Sequence, residues 1–229
     1  MANLVCAKPL QGDVLRVTRL DECGNIEYGE CAYGVSDGYV QAVLTPSTEE
    51  GERFLQRNAK GNAIVNQRSR PILNWYDVSM QFQEVDPEIF TILTGLEPYM
   101  DDQDRVIGFP VTEEHYATAN FALELWMGNA EEECSDDALP FYGYNLLPWV
   151  VEGALAENIT VANALITFTV AGRTRKGTPW GVGPYDVVLD LNGDPMPLYS
   201  AIPTDTHHLP IWTNLAPPEA ECGCQSLSS

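Results

Sequence analysis

A chain of 229 residues with 33 acidic and 12 basic side chains has a formal charge of −21 at neutral pH. Such a chain is repelled by bare nucleic acid and by anionic membrane, and no apolar run approaches the ~20 residues that span a bilayer. A chain this long buries ~70% of its unfolded surface on folding, so its core needs no disulfide or metal staple, and it suits one large β domain or one domain with extensions.

The opening residues, MANLVCAKPLQGDVLRV, place Lys8 too late and hold too short an apolar run for a secretory signal, so synthesis in a cytosol is expected. In a reducing compartment Cys6, Cys23, Cys31, Cys134, Cys222 and Cys224 are expected to be thiols. Without an export signal, the Asn158-Ile159-Thr160 glycosylation triplet reads as a chance match.

Residues 1–10 read as an arm, and residues 14–20 (VLRVTRL) alternate as a strand that ends at the turn DECGN, 21–25. Residues 35–44 predict a second strand, broken at Asp37-Gly38. The polar excursion 45–70 follows, and connections this long are functional or form ribbons of their own. Residues 63–65 are placed to return as the second strand of a hairpin arm. In the next stretch Ile72, Tyr76, Val78, Met80 and Phe82 are apolar at alternate positions, which predicts a strand with one buried face. The period then changes. Asp86 suits a helix cap, Pro87 the first helical position and Glu88 the positive end of the helix dipole. Ile89, Phe90, Ile92 and Leu93 supply an apolar face, and Gly95 a left-handed stop.

Residues 101–104 read as a turn and 105–111 as a strand. In residues 121–127, Phe121, Leu123, Leu125 and Met127 alternate on one side. An acidic loop, 129–140, precedes strands at 141–151 and 164–171. A Gly-rich loop, 172–184, is followed by a strand at 186–191, the turn Asn192-Gly193-Asp194 and a last strand at 208–214. The expected fold is mainly β: an antiparallel sandwich or barrel with one short flanking helix and extended termini. Residues 1–216 form one domain, 45–70 its extended arm, and 217–229 a tail.

No pattern in the chain points to catalysis. Gly34-Val35-Ser36-Asp37-Gly38 fits the nucleophile-elbow spacing, but the elbow requires a helix immediately afterwards, and residues 39–44 read as strand. His207 and His208 with Cys222 and Cys224 make a poor metal set. Neighbours on a strand point to opposite faces, and C-x-C is not a usual zinc spacing. Asp190 to Asp194 imitates part of a calcium loop but lacks its remaining ligands, so a hairpin turn is expected. No catalytic residue, cofactor site or metal site is assigned. Most of the five tryptophans alternate into the core.

Charge placement is more informative than total charge. Arg53, Arg57, Lys60, Arg68 and Arg70, five of the 12 basic residues, sit in the excursion, and Arg173, Arg175 and Lys176 form a second basic loop. From residue 106 to 172 there is no Lys or Arg, against ten Asp and Glu. The chain is an acidic body with two basic projections. Either these are solvated loops, or the projections of one copy seat on the acidic body of the next, a heterologous contact that builds rings or filaments.

Several stretches, in order along nearly the whole chain, carry a resemblance. They are RVTRLDECG (16–24), VSDGYV (35–40), EEGE (49–52), VDPEIFTILTG (85–95) and APPEAECGC (216–224). Together they resemble the major tail, or tail tube, proteins of siphophages infecting actinobacteria. The resemblance implies a β-sandwich or barrel with a flanking helix, assembled as homohexameric rings stacked into a tube. It also implies virion localisation after assembly in the bacterial cytoplasm, and a lumen that first holds the tape-measure protein and then passes DNA without specific binding. Further implied partners are the tail terminator and the baseplate or distal tail proteins. The stretch matching the family's inter-subunit loop is 45–70, so Glu49, Glu50, Glu52, Arg53, Arg57, Lys60, Arg68 and Arg70, with Arg173, Arg175 and Lys176, are the expected contact residues. A soluble carbohydrate-binding or hydrolytic β-sandwich, and another tail component such as a terminator, remain as alternatives.

Overall fold

The computed structural model describes residues 10–84, 86–103, 105–113, 116–129, 142–156 and 167–228. Residues 1–9 of the arm expected at 1–10, most of the acidic loop 129–140, His115 and the Asn158 triplet lie outside them, and Leu10 already belongs to the first strand.

Among the described residues, nine strands share one antiparallel sheet. They are β1 (Leu10–Arg19), β2 (Gly29–Ser36), β3 (Tyr39–Glu49), β6 (Ile72–Phe82), β9 (Ala119–Asn129), β10 (Tyr142–Leu155), β11 (Phe168–Thr174), β14 (Leu209–Thr213) and β15 (Gln225–Leu227). The order is β15-β2-β1-β9-β10-β11-β6-β3, and β14 pairs with the first half of β10. Three small ribbons flank the sheet: β4 (Arg53–Arg57) with β5 (Ala63–Arg68), β7 (Tyr99–Met100) with β8 (Val106–Gly108), and β12 (Val188–Leu189) with β13 (Pro195–Met196).

The chain is mainly β with one short helix, as its pattern predicts, but the sheet does not close into a barrel. It curls strongly all the same. β2 and β3 lie near opposite ends of the strand order, yet only Asp37 and Gly38 separate them, so Ser36 and Tyr39 are at most about 11 Å apart. The break expected at Asp37-Gly38 is therefore the point where the chain steps from one end of the sheet to the other. Gly38 N–H donates to Ser36 Oγ at 3.1 Å there. No helix follows, so the elbow spacing has no elbow.

Helix α1 (Pro87–Thr94) fills one face of this curl. Asp86 Oδ1 accepts from Glu88 N (2.8 Å) and Ile89 N (3.3 Å), and Pro87 needs no partner at its position. At the other end Gly95 adopts φ 72 and donates its N–H to Thr91 O at 2.8 Å. A Cβ on Gly95 would approach Thr118 Oγ1 to 2.7 Å, so both conformation and space require glycine. Ile89, Phe90, Ile92 and Leu93 are buried against Leu15, Val17, Met80, Phe82, Phe121 and Leu123.

The opposite face of the sheet is also covered. Ala122, Trp126, Tyr144, Leu146, Trp149 and Val151 pack under Trp180, Val187, Val188 and Leu198 from the excursion between β11 and β14. Because both faces are buried, β9 and β10 hold apolar residues at consecutive positions; each such side chain contributes roughly 1.5–3 kcal/mol. Trp126, Trp149 and Trp180 are core residues as expected, whereas Trp212 is exposed.

Two expectations are corrected. Cys31 and Cys224, expected as thiols, form a disulfide between positions 193 residues apart, while Cys23 and Cys222 are free and exposed. Low sequence separation is no guide to pairing in a curled sheet, where the chain's last strand returns to β2. The tail at 217–229 is likewise no loose appendage among its described residues. β15 adds to β2, and Asp86 and Glu88 accept the backbone N–H groups of Gly223 and Cys224.

Candidate assembly site: the hairpin arm and a basic cleft

The 45–70 excursion is a ribbon. β3 and β6 pair from Tyr39↔Phe82 out to Glu49↔Ile72. Beyond that, β4 and β5 continue from Arg53↔Arg68 to Arg57↔Ala63, so residues 63–65 do return as a hairpin strand. The two tiers join at Gly51, where a Cβ would lie 2.0 Å from Ser69 O, so only glycine fits the crossing. Ser69 N–H donates to Glu52 O at 2.9 Å. At the tip, Asn58 Oδ1 accepts from Lys60 N (3.0 Å) and Asn62 N (2.9 Å), and Gly61 takes φ 83. From Thr45 to Arg57 such a ribbon extends up to roughly 40 Å.

Its surface is unusual. Every residue of β4 is exposed, and so is every residue of β5 except Val65. Phe54 is 54% exposed and Ile64 67%. A two-stranded ribbon with no third strand or helix against it is marginal in water. The arm therefore presents apolar side chains among cations. Some charges are used internally: Arg68 pairs with Glu50 at 2.7 Å, Arg53 Nε donates to Asn66 Oδ1 (3.2 Å), and Arg57 donates to Gly61 O (2.9 Å). Lys60 and Arg70 have no ion pair among the described residues.

The second basic loop is not a free projection. It lines a cleft of about 680 Å³ at the end of β11, beside Val151 and Glu152 of β10. Arg173 pairs with Glu152 and lies 5.5 Å from the Trp75 ring centroid; Arg175 lies 4.7 Å from that of Trp149. Trp149 Nε1 donates to Asn120 Oδ1 at 3.3 Å, which fixes the indole beneath Arg175. Arg175 and Lys176 have no ion pair among the described residues, so their outward donors can receive carboxylates. His207 shares a 2.8 Å hydrogen bond with Thr174 Oγ1; burial, and next the charge of Lys176, hold its pKa below the ordinary 6.5. His208 instead bonds Asn145 Oδ1 at 2.8 Å, so the two histidines serve different strands and do not converge. The Asp190–Asp194 loop is the hairpin turn expected, with Asp190 Oδ1 accepting from Asn192 N and Asp194 N.

The structure thus gathers Arg53, Arg57, Lys60, Arg68, Arg70, Glu49, Glu50 and Glu52 on one arm and Arg173, Arg175 and Lys176 at a separate cleft. Reading the sequence alone missed the ion pair under the sheet. Arg16 in β1 and Glu124 in β9 are both buried and directly opposed. A signal was present: Glu124 interrupts the apolar run 121–127 of β9, and Arg16 stands between the apolar Leu15 and Val17 of β1 with the opposite sign. Among the described residues no helix is long and apolar enough to cross a membrane. No protein-family model and no curated protein matches the chain.

Proposed function

We propose that this chain is a structural virion protein that polymerises, as stacked hexameric rings, into a phage tail tube, and that it acts without catalytic residues. The observation that carries the proposal is the arm: a cationic ribbon with exposed Phe54, Leu55 and Ile64 in a chain whose overall charge is −21. A ribbon of that kind gains stability by seating on an acidic neighbour, and because arm and seat are different surfaces the contact propagates instead of closing on a pair. The resemblance in sequence to tail tube proteins supplies the rest of the reading: a virion location after assembly in the host cytoplasm, a lumen that holds the tape-measure protein before DNA passes, and ends that meet the terminator and baseplate proteins. An acidic lumen lets DNA slide, since like charge removes the gain from counterion release.

Light scattering of the purified chain tests the class of function. Large, concentration-dependent assemblies support the proposal; a monodisperse monomer at high concentration would point to the carbohydrate-binding or hydrolytic alternative.

A further inference from the structure

Three segments distant in sequence meet beside the first turn of α1. Cys31 of β2, Glu88 of α1 and Cys224 ahead of β15 bring their sulfur and carboxylate atoms within 4.8 Å of one another. Each is held from behind. Cys31 has a left-handed backbone (φ 55), which side-chain-bearing residues disfavour. The Glu88 carboxylate accepts the N–H of Cys224, and that of Asp86 accepts the N–H of Gly223, which aligns the C-terminal segment on the helix. The adjoining cavity, about 480 Å³, is lined by Asp37, Glu84, Asp86 and Glu221 and, among the described residues, by no Lys or Arg. A disulfide needs neither a carboxylate beside its sulfurs nor an acidic surround; a cation favours both.

We propose that, when the Cys31–Cys224 bond is reduced, Cys31, Cys224 and Glu88 bind a thiophilic divalent cation such as Zn²⁺. Reduction consumes two molecules of a small thiol, which become a disulfide as the cysteine pair takes up two electrons and two protons. Cation binding then displaces the two thiol protons. Tetrahedral zinc holds thiolate sulfurs about 3.8 Å apart, so the two sulfurs must separate to that spread once their bond is broken, with Glu88 as third ligand and water in the fourth position. The C-terminal segment thus keeps a tether to α1 and β2 in either redox state.

The test uses the full chain with Cys6, Cys23, Cys134 and Cys222 changed to Ser, reduced with a phosphine and titrated anaerobically with Co²⁺. The expected result is one Co²⁺ per chain with a sulfur-to-cobalt charge-transfer band, displaced by Zn²⁺. The band is absent from the reoxidised chain, which is the folded control, and from Cys31→Ser and Cys224→Ser. Glu88→Gln weakens binding at least about tenfold. No band in the reduced chain, a band that survives Cys31→Ser, or unchanged affinity in Glu88→Gln overturns the site.

Discussion

Arg16 and Glu124 stand directly opposite each other on β1 and β9, each almost wholly removed from solvent, and are joined by two guanidinium–carboxylate hydrogen bonds. Tyr144 Oη donates to the same carboxylate at 2.5 Å, and the Tyr185 ring lies 3.6 Å from the Arg16 guanidinium carbon. Tyr185 in turn shares a 3.0 Å hydrogen bond with Thr18. The pair therefore fixes the register of two neighbouring strands and docks the excursion that carries Tyr185 onto the sheet.

Breaking the pair should be far more harmful than removing it. Glu124→Ala leaves a buried guanidinium without its counter-ion and should lose about 3–5 kcal/mol. The double variant Arg16→Met, Glu124→Leu should lose less than Glu124→Ala alone, because apolar residues of similar volume leave no uncompensated charge. Urea denaturation of the three proteins gives the comparison.

Stability should peak between neutral and mildly alkaline pH. Burial raises the pKa of Tyr144 well above 10.0, with the Glu124 carboxylate adding to it, and burial also raises that of Tyr185. Folded values above the unfolded ones mean stability held below pH about 10 and lost as pH rises beyond it. His207 and His208 are depressed below 6.5, first by burial. Their contribution is complete above pH about 6.5 and falls as the solution is acidified. Thermal midpoints from pH 5 to 11 should fall at both ends. Tyrosine absorbance that titrates fully near pH 10 with the fold intact would contradict the placement of Tyr144.

The Cys31–Cys224 bond closes a loop of nearly the whole chain, so it constrains the unfolded state strongly. Cys224→Ser, or reduction in the absence of metal, should lower stability by about 2–5 kcal/mol. Protease should then cut first within 217–228, the segment whose hold on β2 is a three-residue strand.

Assembly should respond to salt and to the sign of the arm's charge. The Debye length falls from ~10 Å at 0.1 M to ~3 Å at 1 M, so molar salt should suppress polymerisation through exposed cations. Arg57→Glu with Lys60→Glu at the arm tip should impair assembly while changing monomer stability by less than about 0.5 kcal/mol, as both side chains are exposed. Sedimentation across a salt series measures the first effect. Indifference to salt would indicate an apolar interface built on Phe54 and Ile64.

The elements legible in the sequence are those whose cause is local. Asp86, Pro87 and Gly95 mark α1 at both ends, because caps and left-handed stops act within a turn. Alternation along β6 and β9 marks strands, because side-chain period is a backbone property. Pairing between distant elements was not legible: nothing near Cys31 announces Cys224, and Arg16 shows only that a charge is buried, not where its partner lies. The strand at 105–111 shrinks to Val106–Gly108, since exposed Ile107 and Val111 have no core to join. For the candidate site, the arm could be seen as a hairpin with a charge, while the cleft at Arg173 and Arg175 depends on Trp75 and Trp149, which only the fold brings beneath them.

Negative-stain electron microscopy of the purified chain and of a variant lacking residues 49–66 shows whether the arm builds a tube. The deletion removes β4 and the start of β5 but leaves the β3–β6 ladder up to Thr48↔Leu73. Hollow tubes of uniform width are expected from the intact chain, and folded, unassembled particles from the variant. Tubes formed equally well without the arm, or discrete globules from the intact chain, would contradict assembly through the arm.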